Sequence, residues 1–183
     1  MKFQRSPLDG VVVIYPDVLR DDRGYFFESY SKKRYSEICG NVEFVQDNVS
    51  ESVKNTVRGL HYQIGDFAQG KLCQVLSGKV LDVAVDIRFG SPTFGKYFAI
   101  ELSDENSAQL WIPPGFAHGF SVLSDLAVFH YKCTHYYSKT HERSIRYNDT
   151  TLNIDWRVKS PIISAKDEAA PILADIEKDF TIS

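Results

Sequence analysis

The sequence predicts an all-β domain, a sandwich or a closed barrel around one hydrophobic core. Three observations carry this. Most of the 183 residues fall into short β-branched and aromatic runs separated by Gly, Pro, Asn and Asp. Helix-period patterning is confined to two short stretches. Aromatic residues make up 13% of the chain (12 Phe, 10 Tyr, 2 Trp), a load that suits a β-rich core with a lined pocket. No repeat, low-complexity tract or linker divides the chain, so residues 1–183 read as a single domain.

In chain order, Val11-Val12-Val13-Ile14-Tyr15 is an apolar run ended by Pro16. Asp21-Asp22-Arg23 reads as a turn into the aromatic strand 24–30. Ser31 to Ile38 predicts a short helix with Ser31 as N-cap and Gly40 as its stop. Leu72 to Leu76, Ser77-Gly78-Lys79 and Val80 to Ile87 together predict a β-hairpin. In its second arm Leu81, Val83, Val85 and Ile87 alternate with Val80, Asp82, Ala84 and Asp86, placing the two sets on opposite faces. Tyr97 to Leu102, Leu110 to Ile112, Phe120 to Leu123 and Ala127 to Cys133 continue the strands. Lys166 to Ala170 and Ile172 to Lys178 predict a second helical region broken by Pro171.

Composition removes several classes of function. With 21 Lys plus Arg against 24 Asp plus Glu, the formal charge is −3, so no basic field exists to draw in nucleic acid. No apolar run approaches the roughly 20 residues of a membrane span. Met1 to Asp9 is polar and holds no signal-peptide core. Cys39, Cys73 and Cys133 are too few and too scattered for a disulfide framework or paired-cysteine zinc spacing. A reducing cytoplasm is the expected compartment.

The chemistry-bearing residues are concentrated. In Arg58-Gly59-Leu60-His61-Tyr62-Gln63, regular strand alternation places Arg58 with Leu60 on one face and His61 with Gln63 on the other. His61 is either an inward base or a hydrogen-bonded structural histidine. Pro113-Pro114-Gly115-Phe116-Ala117-His118 resembles the second metal motif of cupins, a jelly-roll superfamily. The first cupin motif needs His-x-His and a Glu, yet Gln63 follows His61 and Lys71 stands near the expected carboxylate. An ammonium has no lone pair for a metal. The pattern therefore suggests a cupin jelly-roll barrel without a metal, His118 becoming a polar ligand contact or a packed loop residue. Tyr131 and Tyr137 share a face if one uninterrupted strand carries both. Taken alone, Ser164-Ala165-Lys166-Asp167 is a helix start with Ser164 as N-cap.

Together these segments resemble the dTDP-4-dehydrorhamnose 3,5-epimerase family, over roughly residues 1–175. The resemblance rests on Asp22-Arg23-Gly24 with Phe26 and Glu28, on Phe44-Val45-Gln46-Asp47-Asn48 with Ser50 and Ser52, and on the His61 and Gln69-Gly70-Lys71-Leu72 blocks. It continues through Asp82 to Arg88, Ser91 to Gly95, Ile112 to Phe120, Tyr131 with Tyr137, and Ser164 to Asp167. Cys73, where an aliphatic is more usual, and Gly70 are minor departures.

The resemblance implies a cofactor-free and metal-free jelly roll, dimeric with exchanged N-terminal strands. Its substrate would be dTDP-4-dehydro-6-deoxy-D-glucose, inverted at C3 and C5. The C4 ketone of that sugar acidifies both hydrogens. His61 would be the base, since an imidazole titrates near pH 6.5, and Asp167 would orient it. Tyr131 would be the acid on the opposite face. Lys71 would hold the C4 oxyanion, a contact typically worth about 100- to 1000-fold in rate. Arg23, Arg58, Lys166, Gln46 and Asn48 fall on pyrophosphate and sugar contacts, Glu28 on a thymine contact, and Phe26 with Tyr137 on the pair that sandwiches the base. His118 and Glu142 also fall on substrate contacts. Two alternatives stay open: a C3-only epimerase serving another deoxysugar, and a cupin that binds a sugar nucleotide or metal without turnover.

Overall fold

The computed structural model describes residues 1–182. Its strands are β1 (Lys2–Arg5), β2 (Val12–Tyr15), β3 (Leu19–Asp21), β4 (Gly24–Phe26), β5 (Gln46–Val53), β6 (Val57–Gln63) and β7 (Lys71–Ser77). They continue as β8 (Lys79–Asp86), β9 (Tyr97–Ser103), β10 (Gln109–Ile112), β11 (Phe116–Val122), β12 (Leu126–Cys133) and β13 (Glu142–Ser144). Helices α1 (Lys32–Cys39) and α2 (Ala165–Glu168) complete the frame. A six-stranded sheet, β1-β2-β10-β7-β12-β5, faces a five-stranded sheet, β13-β6-β11-β8-β9. This is the expected jelly-roll sandwich, with β3 and β4 forming a separate hairpin.

Alternation along β8 sorts the core. Val80 and Ala84 point between the sheets, joining Val13, Cys73, Leu110, Phe120 and Phe129. Phe120 from one sheet stacks on Phe129 from the other at 4.3 Å. Leu81, Val83, Val85 and Ile87 point outward under a C-terminal blanket that includes Leu152, Trp156 and Leu173. A third cluster, Ile14, Leu72 and Trp111, is covered by α1 through Tyr35 and Cys39.

The predicted hairpin at residues 72–87 does not form. Both strands exist and meet at Gly78, but β7 pairs with β10 and β12 while β8 pairs with β11 and β9. The chain crosses from one sheet to the other there. Gly78 has φ +80, and a Cβ on it would lie 2.1 Å from the Leu126 carbonyl oxygen, so only glycine fits. Both arms have buried inner faces, and each gains more by lining the core from opposite sides than by pairing with the other.

Four further expectations need correction. The regular alternation expected in β6 fails. Phe120 pairs with Arg58 and His118 with His61, so β6 spends three steps where β11 spends two. That bulge turns Leu60 outward, fully buried, and leaves Arg58 on the same side as His61. The strand carrying Tyr131 ends at Cys133, so Tyr137 lies in the following loop, outside the shared-face argument. The helix expected over residues 172–178 shrinks to a 3-10 turn at Leu173–Asp175, where Leu173 N–H donates to Asp149 Oδ2 at 2.7 Å. The aromatic strand expected over 24–30 stops at Phe26. Helix α1 starts after Ser31 and ends at Gly40 as expected, although the Ser31 side chain makes no capping bond.

Candidate active site

A cavity of about 730 Å³ opens between the two sheets. The five-stranded sheet contributes Arg58 and His61 from β6 and His118 from β11; the six-stranded sheet contributes Asn48 from β5, Lys71 from β7 and Tyr131 from β12. Asp167 arrives from a distance of 106 residues in sequence. The C-terminal segment runs beside the start of β6, where Ile162 bonds to Asn55 and Val57. Ser164 then caps α2 by accepting the Asp167 N–H at 3.1 Å, as its sequence predicted. That cap fixes the Asp167 side chain against His61.

His61 Nε2 and Asp167 Oδ1 are 2.5 Å apart. Asp167 is 3% exposed. Burial works to raise its carboxyl, but the bond to His61, with smaller contributions from the Gly59 N–H and Ser164, outweighs it and holds the group below the ordinary value. Tyr131 stands on the opposite wall, and burial pushes its phenol up to about 12. It is therefore a proton donor at neutral pH. Lys71 Nζ lies 5.8 Å from the Tyr131 ring centre and 3.5 Å from the His61 carbonyl oxygen, with its charge directed into the cavity. A base with its orienting carboxylate, an acid across the gap and a fixed cation between them suit proton abstraction next to a carbonyl.

Strand β5 adds a row of polar side chains. Gln46, Asn48, Ser50 and Ser52 turn inward, while Asp47, Val49, Glu51 and Val53 are exposed. Gln46 Nε2 donates to Asn48 Oδ1 at 3.0 Å, and Arg58 Nε donates to Ser52 Oγ at 3.0 Å. At the mouth, Tyr137 N–H donates to Gln46 Oε1 at 2.8 Å and the Tyr137 hydroxyl to Glu142 Oε2 at 3.0 Å. Lys166 also bonds Glu142. Lys166 lines the cavity, and Gln46, Tyr137 and Glu142 join its rim through these bonds. Arg23, Phe26 and Glu28 do not. Arg23 pairs with Asp21 at 2.6 Å, Glu28 pairs with Arg34 at 3.2 Å, and Phe26 is 70% exposed. Gln63 also turns away from metal chemistry, its Oε1 accepting the Ser138 N–H at 3.1 Å.

Two residues of the site escaped the sequence reading as site residues. Ser52 anchors Arg58, and fully buried Asp82 lies 2.6 Å from His118 Nε2. A carboxylate within the inward-facing set of β8 was the available signal. Cys73, Asp82 and His118 place donor atoms within 4.8 Å of one another. They do not fit a metal centre. Nε2 and Oδ1 are already hydrogen-bonded, closer than the ~3.3 Å between ligands on one zinc-sized ion. Lys71 adds a repelling charge close enough to act on both Cys73 and His118.

The profile of the dTDP-4-dehydrorhamnose 3,5-epimerase family matches residues 5–175. The chain belongs to that family. A dTDP-4-dehydrorhamnose 3,5-epimerase from Shigella flexneri is 52% identical over 168 residues, covering 91% of this chain and 93% of that protein. A Legionella pneumophila 3,5-epimerase, solved in complex with dTDP-4-keto-L-rhamnose, superposes with a TM-score of 0.93 at 50% identity, over 96% of this chain and 94% of that one. A 3'-monoepimerase from Streptomyces bikiniensis, solved with dTDP-quinovose, has a TM-score of 0.86 at 31% identity, over 93% and 88% of the two chains. Both are related epimerases, and the chain is much nearer in sequence to the 3,5-epimerase than to the monoepimerase.

Proposed function

We propose that this chain inverts C3 and C5 of dTDP-4-dehydro-6-deoxy-D-glucose, giving dTDP-4-dehydro-L-rhamnose, with His61 as base and Tyr131 as acid. The observation that carries the reading is the His61–Asp167 pair at 2.5 Å facing a high-pKa tyrosine across one cavity. His61 takes the proton next to the ketone, and Asp167 stabilises the imidazolium that forms. Electron density moves onto the C4 oxygen, where the Lys71 ammonium meets it. Tyr131 returns a proton to carbon from the other wall, which inverts the centre.

The nucleotide lies toward the mouth in this reading. Arg58 and Lys166 hold the diphosphate, a planar guanidinium matching two oxygens at once. Gln46, Asn48, His118 and Glu142 take the remaining polar contacts, and Tyr137 stacks on thymine. Arg23, Phe26 and Glu28 serve the neighbouring subunit of a homodimer. The exposed β3–β4 hairpin, with Leu19 66% and Tyr25 51% accessible beside Phe26, supports that assignment. Three free, buried cysteines agree with a reducing cytoplasm. The enzyme is expected to need no cofactor or metal, and to bind neither nucleic acid nor membrane; among the described residues no helix is long and apolar enough to cross a bilayer.

The test is isotope exchange. The protein is incubated with dTDP-4-dehydro-6-deoxy-D-glucose in D₂O, and C3 and C5 are followed by NMR, with His61→Ala alongside. Deuterium at both carbons, absent in the variant, is expected. Deuterium at C3 alone makes the chain a C3-only epimerase, and exchange at neither carbon overturns the reading.

A further inference from the structure

The chain holds a second histidine–carboxylate pair, His118 with Asp82, whose carboxylate has no part in the reading above. Asp82 is fully buried on the inward face of β8, opposite Phe120 and between the core residues Val80 and Ala84 on that face. Its Oδ1 sits 2.6 Å from His118 Nε2, the only hydrogen bond its side chain makes among the described residues. Its Oδ2 is sealed from solvent with no partner. A carboxylate in such surroundings is costly. The compensation lies in what it does to His118.

A carboxylate only accepts, so the ring nitrogen facing it must carry the hydrogen. That leaves His118 Nδ1 with its lone pair free. Nδ1 bonds to no described residue and is not among the sealed polar atoms, while His118 lines the cavity, so the lone pair opens onto it. The ring is braced against rotation by Phe129, stacked at 6.0 Å and 24°, and lies 6.5 Å from Tyr131. Cys73 Sγ, 3.8 Å from the same Nε2, is a poorer partner. Burial pushes its thiol well up, so among the described residues Asp82 is the one anion against the ring.

We propose that Asp82 is a positioning residue that locks His118 in the Nε2–H form, so that Nδ1 accepts a hydrogen bond from a hydroxyl of the bound sugar. This rests on the functional reading above. Burial favours the neutral ring, lowering the His118 pKa, in agreement with a fixed acceptor rather than a proton carrier. The neighbours that face His118 include Lys71 and His61, and both disfavour a further positive charge there.

The test combines tautomer and kinetics. Histidine is labelled with ¹⁵N, and the five ring systems are read by long-range ¹H–¹⁵N correlation, with His118→Gln identifying the signal of interest. The wild-type ring is expected to be neutral with hydrogen on Nε2. A charged ring, or hydrogen on Nδ1, overturns the proposal without any Asp82 variant, and does so whether or not the protein epimerises the proposed substrate. Asp82→Asn, which keeps the shape, should release the tautomer and cut kcat/KM by about 10- to 100-fold, the scale of a misplaced positioning contact. In a His118→Gln background the same change should cost nothing further. An equal loss in both backgrounds would mean that Asp82 acts on the fold and not through His118.

Discussion

Replacing Asp167 with Asn tests the base most directly, because the change keeps the shape and removes the charge. The carboxylate meets His61 Nε2 at 2.5 Å and also accepts the Gly59 N–H at 3.4 Å. An amide has one oxygen and must abandon one of these tasks. The larger loss is electrostatic. When His61 takes a proton, the wild-type ring gains a charged hydrogen bond worth about 1.5–3 kcal/mol beyond its neutral form. Two unit charges about 4 Å apart at an effective dielectric near 20 bound the attraction at about 4 kcal/mol. A transition state deprived of about 3–4 kcal/mol slows by about 10²- to 10³-fold, at 1.36 kcal/mol per decade. The loss should fall on kcat, because Asp167 stands behind the imidazole and the diphosphate contacts are untouched. The assay is initial-rate epimerisation with dTDP affinity by calorimetry, plus a melting curve to confirm folding. An Asp167→Asn enzyme within about 10-fold of wild type, or one whose loss lies wholly in KM, would refute the dyad.

Tyr131→Phe should let deuterium exchange continue while inversion falls by about 10²- to 10⁴-fold, and equal loss of both would place the tyrosine on the base side. With the Tyr131 phenol pushed up to about 12, the alkaline limb of the rate from this group should not appear near pH 10, as ¹³C-tyrosine NMR against pH can check. Gly78→Ala should destabilise by more than about 2 kcal/mol in urea unfolding, given φ +80 and a Cβ 2.1 Å from the Leu126 oxygen. Asp86 sits at the end of β8. Burial raises its carboxyl, but bonds from Arg88, Ser91 and Thr93 outweigh that and hold it down to about 2. Its contribution to stability is full above the ordinary value of 3.8 and is lost as pH falls toward 2; Asp86→Asn should flatten that part of the stability profile.

The strands were legible because β-branched alternation reports a two-faced environment whichever sheet receives the strand. What alternation does not report is the partner. Residues 72–87 have the pattern and the turn glycine of a hairpin, yet the sheets take one arm each. Bulges are invisible for the same reason: the extra step in β6 depends on β11, and it moves Arg58 to His61's side. Ser164 and Asp167 were legible as a capped turn from local spacing, but nothing local says that the turn packs on His61. The family resemblance supplied that pairing, and the separation of Arg23, Phe26 and Glu28 from the cavity has no trace in the chain's periodicity. Asp82 shows the complementary case, a carboxylate visible inside an apolar alternation whose meaning required its neighbour.

His61 and Tyr131 belong to different sheets, and no covalent path shorter than the crossing segments ties one to the other. Their separation is therefore a thickness. Facing sheets stand about 10 Å apart because side chains hold them there, and the stacked pair Phe120 and Phe129 is one of the spacers. Phe129 itself does not meet the sugar, yet trimming it to Leu would loosen the rings it packs against, His118 and Tyr131, let the walls settle and shift proton-transfer distances in both directions across the ring. For this architecture, the caliper of the core and the timing of the reaction are one variable: sequence drift among the buried aromatics retunes turnover even while every polar residue of the cavity stays in place.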